Sequence, residues 1–186
     1  MDVMTAIYTR QSIPRVRPDP VPRELIEQLL GTAVQAPNHH RNRPWRFVVL
    51  TGKARERLGE VMAQSLRRRV PESPDTALEA ERKRPLRAPV VIAVGIDRAD
   101  DPKIVEIENV CAGAAAVENL LLAAHALGLG AMWRTGAAAT DPDVKTFLGF
   151  KADQALIAFV YVGYPEEIPQ KVERPSFADR TTWMED

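Results

Sequence analysis

One cysteine, three histidines, a 6% share of aromatic side chains and no net charge set the first limits on this 186-residue chain. Cys111 stands alone, so no intrachain disulfide can form and a thiolate metal set is excluded. Lys and Arg number 25 against 25 Asp and Glu, so no overall field draws the chain to nucleic acid or to an anionic membrane, and neither is expected as a partner. The basic run Arg67-Arg68-Arg69 is offset by nearby acids, lacks interleaved aromatics, and reads as a solvated helix face. No stretch approaches 18 consecutive apolar residues, and no basic segment followed by an apolar run opens the chain. A soluble, cytoplasmic protein is expected. There is no Gly-x-Ser-x-Gly elbow and no Walker loop, which removes the commonest serine-hydrolase and phosphate-loop chemistries.

What is there suffices for a core. Hydrophobic residues make up 45% of 20.7 kDa, in keeping with one domain over residues 1–186. Val3, Met4, Ile7 and Tyr8 fall at helical spacing and predict a short helix ending near Arg10. The proline-dense segment 14–22 should run extended into a second helix, with an apolar stripe from Leu25 to Val34. Trp45–Leu50, Pro89–Ile96, Ala131–Trp133 and Gln154–Tyr164 read as strands, the second apolar throughout and therefore buried on both faces. A helix over 104–127 with a small-residue centre is expected to be buried, with Cys111 as inert packing. The charged stretch 53–84 is expected to be helical, and the most exposed and mobile part of the molecule. Thr140-Asp-Pro-Asp143 should start another helix, with a cap residue ahead of proline. Residues 165–186 form a tail without a core pattern, suited to wrapping a neighbouring subunit or to disorder. The irregular alternation predicts an α+β fold, a mixed central sheet flanked by helices.

Three short segments carry chemistry. Arg10-Gln11-Ser12 ends the first helix; a guanidinium with a hydroxyl two residues on can hold a phosphate, or the arginine can simply neutralise the helix dipole. Between Gln35 and Trp45, a loop packs His39, His40, Arg41 and Arg43 between two prolines, Pro37 and Pro44. Adjacent histidines point apart in extended backbone and no acidic residue lies close in sequence, so a metal set is disfavoured; donors to a cofactor edge and plain surface residues both stand. Trp45 reads as core. Gly128 to Gly136 contains Trp133-Arg134-Thr135 and follows a helix, so it is no dinucleotide fingerprint. It serves either as a capping turn or as backbone aimed at a flat ligand or an anion.

In this order and spacing, Arg10-Gln-Ser12, Pro18-Asp-Pro-Val-Pro22, Ala36-Pro37, Pro44-Trp45-Arg-Phe-Val-Val, Trp133-Arg-Thr-Gly136 and Phe159-Val-Tyr-Val-Gly-Tyr-Pro165 resemble the nitroreductase family of FMN-dependent oxidoreductases, and most its short single-domain bacterial branch. The resemblance implies a nitroreductase-like homodimer with FMN at the subunit interface. It further implies reduction of FMN by NADH or NADPH and electron transfer to a nitroaromatic, quinone or similar small oxidant in alternating half-reactions. An FMN-binding carrier or sensor without turnover is the alternative. By the same resemblance, Arg10, Gln11 and Ser12 match the segment holding the flavin's phosphate and ring edge, Gln35 and His39 match contacts from the partner subunit, and Trp133, Arg134 and Thr135 match the loop along the ring. Segment 123–128 matches a region linked to the nicotinamide. No catalytic side chain and no metal is implied, because the flavin carries the chemistry. Two departures stand out. Pro14 occupies a position where many relatives have Arg or Lys near the flavin pyrimidine, with Arg15 or Arg17 as substitutes, and Arg41 stands where Asn is common.

Overall fold

The computed structural model describes residues 1–168, 170 and 172–185. Its centre is a four-stranded sheet in the order β1-β2-β4-β3, built from β1 (Trp45–Leu50), β2 (Val90–Ile96), β3 (Gly130–Arg134) and β4 (Ala155–Gly163). Seven α-helices surround it among the described residues: α1 (Val3–Thr9), α2 (Arg23–Ala33), α3 (Lys53–Arg69), α4 (Asp75–Lys83), α5 (Glu106–Ala126), α6 (Ala137–Thr140) and α7 (Pro142–Phe147).

The α+β class and the helix-flanked sheet agree with expectation, while the strand directions are simpler than a mixed sheet. Among the described residues every strand pairing is antiparallel. Leu50, the last residue of β1, pairs with Val91 at the start of β2, so the α3–α4 excursion leaves and returns at one end of the sheet. That geometry makes neighbouring strands antiparallel.

Both faces of the sheet are covered, which explains why β2 is apolar at every position. Ile92, Val94, Val160 and Val162 face α2 and α5, in a core that includes Leu29, Leu120 and Ala116. Val91, Ala93, Phe159 and Tyr161 face the opposite way, toward Leu58, Met62, Ala138 and Val144. Val94 pairs with Ala158 and Gly95 with Leu156, which leaves Ile157 as an extra residue in β4, a bulge.

The charged stretch 53–84 departs from its expected exposure. Leu58, Met62 and Ser65 of α3 are buried at i, i+4, i+7 spacing, and each fully buried large apolar side chain contributes about 1.5–3 kcal/mol. Arginines and glutamates on the outer face mask that stripe in the sequence. Gly59 has no side chain because the backbone carbonyl of Arg82 in α4 crosses there. The described residues of the tail are the exposed ones instead, with Ile168, Phe177, Trp183 and Met184 uncovered.

Cys111 also differs from expectation: it is exposed. Helix α5 turns Ala116, Val117 and Leu120 inward, while Ile107 and Cys111 lie on a side left uncovered by the described residues. By length and composition α5 would also pass for a membrane span, with 44% of its most apolar window buried inside the protein. Its packing on α2 and on all four strands accounts for that composition as a core helix.

Candidate functional site

Helix α1 is capped by Asp2, whose side chain accepts from the Thr5 N–H at 3.0 Å. It stops at Arg10, where the backbone turns extended (φ −59°, ψ 134°). From there the chain runs along the edge of β3. The Ile13 N–H donates to the Ala131 carbonyl at 3.0 Å, and the Arg17 N–H to the Tyr164 carbonyl at 2.7 Å. The Arg10 guanidinium meets Glu118 of α5 at 3.1 Å. A second guanidinium arrives from the tail, where Arg174 donates to the Arg10 carbonyl at 3.0 Å. Ser12 is exposed and Gln11 is half-buried. Gln11 lines a cavity of about 340 Å³ with Thr9, Ile13, His125, Leu129 and Pro165. Segment 123–128 meets α1 here, with His125 Nε2 and Thr9 Oγ1 2.7 Å apart.

The far end of β3 carries Trp133, Arg134 and Thr135. The Trp133 indole N–H donates to the carbonyl of Ile157 at 3.0 Å, so the β4 bulge fixes that ring. Arg134 lies over the Tyr161 ring, 5.6 Å from its centre. Thr135 is exposed, and Gly136 turns the chain with φ +113°, a conformation that favours glycine. A cavity of about 250 Å³ is bounded by Trp133, Arg134 and Thr135 together with Arg84, Met132 and Tyr161. Burial pushes the Tyr161 phenol up to about 12, against the pull of Arg134, Arg84 and Arg87, so it stays a neutral donor at physiological pH.

The Gln35–Trp45 loop is held under strain. His40, Arg41 and Arg43 have φ of +48°, +55° and +50°, a region that side chains other than glycine enter at a cost of about 1–3 kcal/mol each. Asn38 Oδ1 accepts from the Arg43 N–H at 2.9 Å, and Asn42 reaches Asn109 of α5. Asn109 in turn donates to the Asp97 carbonyl. Gln35 donates to Gly31 at 3.3 Å, and His39 lies 3.8 Å from Glu108, both at the surface. Trp45 is buried at 6% exposure, a core residue as expected.

Arg10-Gln11-Ser12 and Trp133-Arg134-Thr135 are therefore brought to one edge of the sheet, while Gln35 and His39 are not. Arg10 meets α5 at Glu118 and His39 meets it at Glu108, ten residues or about 15 Å apart along the axis. Arg174 and Arg84 join the site without having been singled out in the sequence, and Tyr161, part of the Phe159–Pro165 motif, joins it without having been given a role. Each comes from a stretch whose local pattern says only tail, charged helix or strand.

Residues 7–164 match the sequence model of the nitroreductase family. The chain is 31% identical over 167 residues to YdjA of Escherichia coli K12, provisionally named an NAD(P)H nitroreductase, with 89% of this chain and 90% of that one covered. Among solved structures, a nitroreductase-like family protein from Bacillus cereus superposes with a TM-score of 0.86 at 24% identity, covering 100% of this chain and 97% of that one. A protein from Desulfovibrio desulfuricans, provisionally named a nitroreductase and crystallised in complex with FMN, superposes with a TM-score of 0.75 at 26% identity, covering 100% and 98%.

Proposed function

We propose that this chain, which belongs to the nitroreductase family, is an FMN-dependent oxidoreductase. In this reading it takes electrons from NADH or NADPH and passes them to a nitroaromatic, quinone or similar small oxidant, in alternating half-reactions at one open site in the cytoplasm. The observation that carries the proposal is the shared β3 edge. The Ile13–Ala131 hydrogen bond ties the Arg10–Ser12 segment to β3, which leads into Trp133–Thr135, an arrangement in which a phosphate group and a flat ring would meet their expected contacts along one edge.

The donor set fits the cofactor. Arg10 supplies a guanidinium whose present partner, Glu118, is 46% exposed and replaceable. Ser12 adds a hydroxyl, and Arg174 brings a second cation to the Arg10 backbone. Guanidinium and hydroxyl donors of this kind bind phosphate strongly. In this reading Gln11 reaches the ring edge, and the Trp133–Thr135 backbone, steadied by the indole bond to Ile157, lies along the ring. Bound FMN supplies hydride acceptance and donation; the residues of the chain bind and orient it.

The outward side of α5 and the uncovered α1 residues Val3, Met4, Ile7 and Tyr8 support a homodimer with FMN at its interface. Pairing along α5 would let Gln35 and His39 serve the partner's cofactor, which their distance from Arg10 in one chain favours. The apolar tail residues Phe177 and Trp183 would be covered by the same partner.

The test is a visible spectrum followed by anaerobic reduction. Purified protein should carry or take up one FMN per chain, and NADH or NADPH should bleach it. A protein that never takes up FMN is not this enzyme, and one that binds FMN but resists both nicotinamides is a carrier or sensor.

A further inference from the structure

We propose that Arg15, Arg87 and Arg134 form a subsite for a phosphate monoester, supplied by the 2′-phosphate that distinguishes NADPH from NADH. The proposal rests on the reading of the chain as a nicotinamide-dependent flavin enzyme and goes beyond it by naming the preferred donor. The three side chains line one cavity of about 340 Å³, with Pro14, Val16 and Glu166. They arrive from separate parts of the chain: the segment beyond Ser12, the 3-10 turn Arg84–Arg87 ahead of β2, and the last residue of β3.

Neighbouring arginines find acids, and these three do not. Arg17 pairs with Asp19 at 3.5 Å and Arg84 with Glu81 at 2.7 Å. Among the described residues, no carboxylate lies within ion-pair distance of Arg15, Arg87 or Arg134. Glu166 is the one acid lining the cavity, and it is tied there through its backbone N–H to the Arg15 carbonyl at 3.3 Å. Three positive charges against one negative charge in a single concavity attract a multiply charged anion. A phosphate monoester carries nearly two charges and accepts paired guanidinium donors, and an arginine is a common device for accommodating a 2′-phosphate. Arg134 also lines the cavity bounded by Trp133 and Thr135, so the subsite opens beside the place proposed for the flavin ring, and the adenosine end of a nucleotide folded back from that ring would meet it.

The experiment uses FMN-loaded protein and calorimetric titration with NADP⁺ and NAD⁺, each with and without inorganic phosphate as competitor. Expected is tighter binding of NADP⁺ than of NAD⁺, with phosphate competing against NADP⁺ more strongly than against NAD⁺. Arg15→Gln combined with Arg87→Gln should cost NADP⁺ roughly tenfold per guanidinium removed and bring the two affinities together. Arg87→Lys should recover part of the preference. Equal affinities in the wild type overturn the proposal, as does an equal loss for both nucleotides, which would point to their shared pyrophosphate. A loss of FMN affinity with the nucleotide preference intact also overturns it, by assigning the cluster to the flavin's own phosphate. Arg15 and Arg87 are exposed, so an unchanged thermal midpoint is expected, and Arg87→Gln alone serves if the double variant unfolds. Failure of the wild type to take up FMN sinks the flavin reading itself and is seen before any nucleotide is added.

Discussion

Two arginine–carboxylate contacts in this molecule share their chemistry and differ in their surroundings. Asp141, 3% exposed, caps α7 by accepting from the N–H groups of Asp143 and Val144 at 2.9 and 3.3 Å. Its other oxygen accepts from Ser65 at 2.5 Å and from Arg68 at 2.6 Å, so one carboxylate joins α7 to α3. Arg10 and Glu118 make a single contact at 3.1 Å, with the carboxylate 46% exposed. Every lone pair of the first pair is used inside the protein. The second leaves its acid in water and its guanidinium with donors to spare. The first contact is structure; the second can be traded for a ligand.

The largest effect should come from breaking the saturated contact. Asp141→Ala removes a helix cap and takes away the acceptor of the buried Ser65 hydroxyl, which should cost about 2–3 kcal/mol in urea unfolding. The fraction that remains folded should bind FMN as the wild type does. Arg10→Ala inverts the pattern. A half-exposed ion pair contributes about 0–1 kcal/mol, so the unfolding midpoint should barely move. FMN affinity, measured by quenching of flavin fluorescence, should fall about ten- to a hundredfold through loss of charge-assisted hydrogen bonds. Riboflavin, which lacks the phosphate, should bind both proteins alike; equal losses for both ligands would remove Arg10 from the phosphate.

The same contrast governs what the sequence disclosed. Trp45–Leu50 was legible to the residue, and the all-apolar β2 announced burial on two faces, because side-chain period and composition are local. Asp141 was legible as a cap ahead of Pro142, yet nothing nearby indicated that it reaches Ser65 and Arg68 more than 70 positions away. The buried stripe of α3 was hidden by the charges on its outer face. Cys111 looked like core because a helix apolar all round implies burial, but the side that α5 turns to the sheet does not include it. At the candidate site, Arg10, Trp133 and Tyr161 fall in recognisable motifs, whereas Arg174 and Arg84 are joined to them only by the sheet edge and the returning tail. The left-handed backbone of His40, Arg41 and Arg43 depends on Asn38 and Asn109, contacts that no spacing rule supplies.

Acid sharpens the comparison at a smaller scale. Burial by itself pushes the Asp141 carboxyl up, but hydrogen bonds from Ser65 and the Val144 N–H, with the Arg68 guanidinium, outweigh it and hold the group below its ordinary 3.8. A carboxyl lowered in the native state stabilises fully above the unfolded value and loses that contribution as pH falls through the native one. The stability gap between wild type and Asp141→Asn should therefore be open near neutrality and close as pH drops below about 3.8. Asparagine caps nearly as well as aspartate, so this gap reports the charge together with the Ser65 and Arg68 hydrogen bonds, which an amide NH2 in place of the second oxygen does not accept. A gap that persisted at low pH would assign it to those hydrogen bonds and not to the charge.

The smallest effect tests whether Glu118 competes with the cofactor for Arg10. Glu118→Gln keeps the side chain's size and removes its charge. A pair whose carboxylate stands half in water is worth about 0–1 kcal/mol, so stability should change by no more than that. FMN should bind up to about fivefold more tightly, because Arg10 no longer leaves an ion pair to meet the phosphate. The gain should shrink as salt rises, since screening weakens the same pair in the wild type. Combined with Arg10→Ala, the Glu118→Gln change should add nothing, because with the guanidinium gone its former partner has nothing to compete for. An equal gain in both backgrounds would mean that Glu118 acts on the phosphate through the general field of α5, and Arg10 would then be a structural arginine like Arg68.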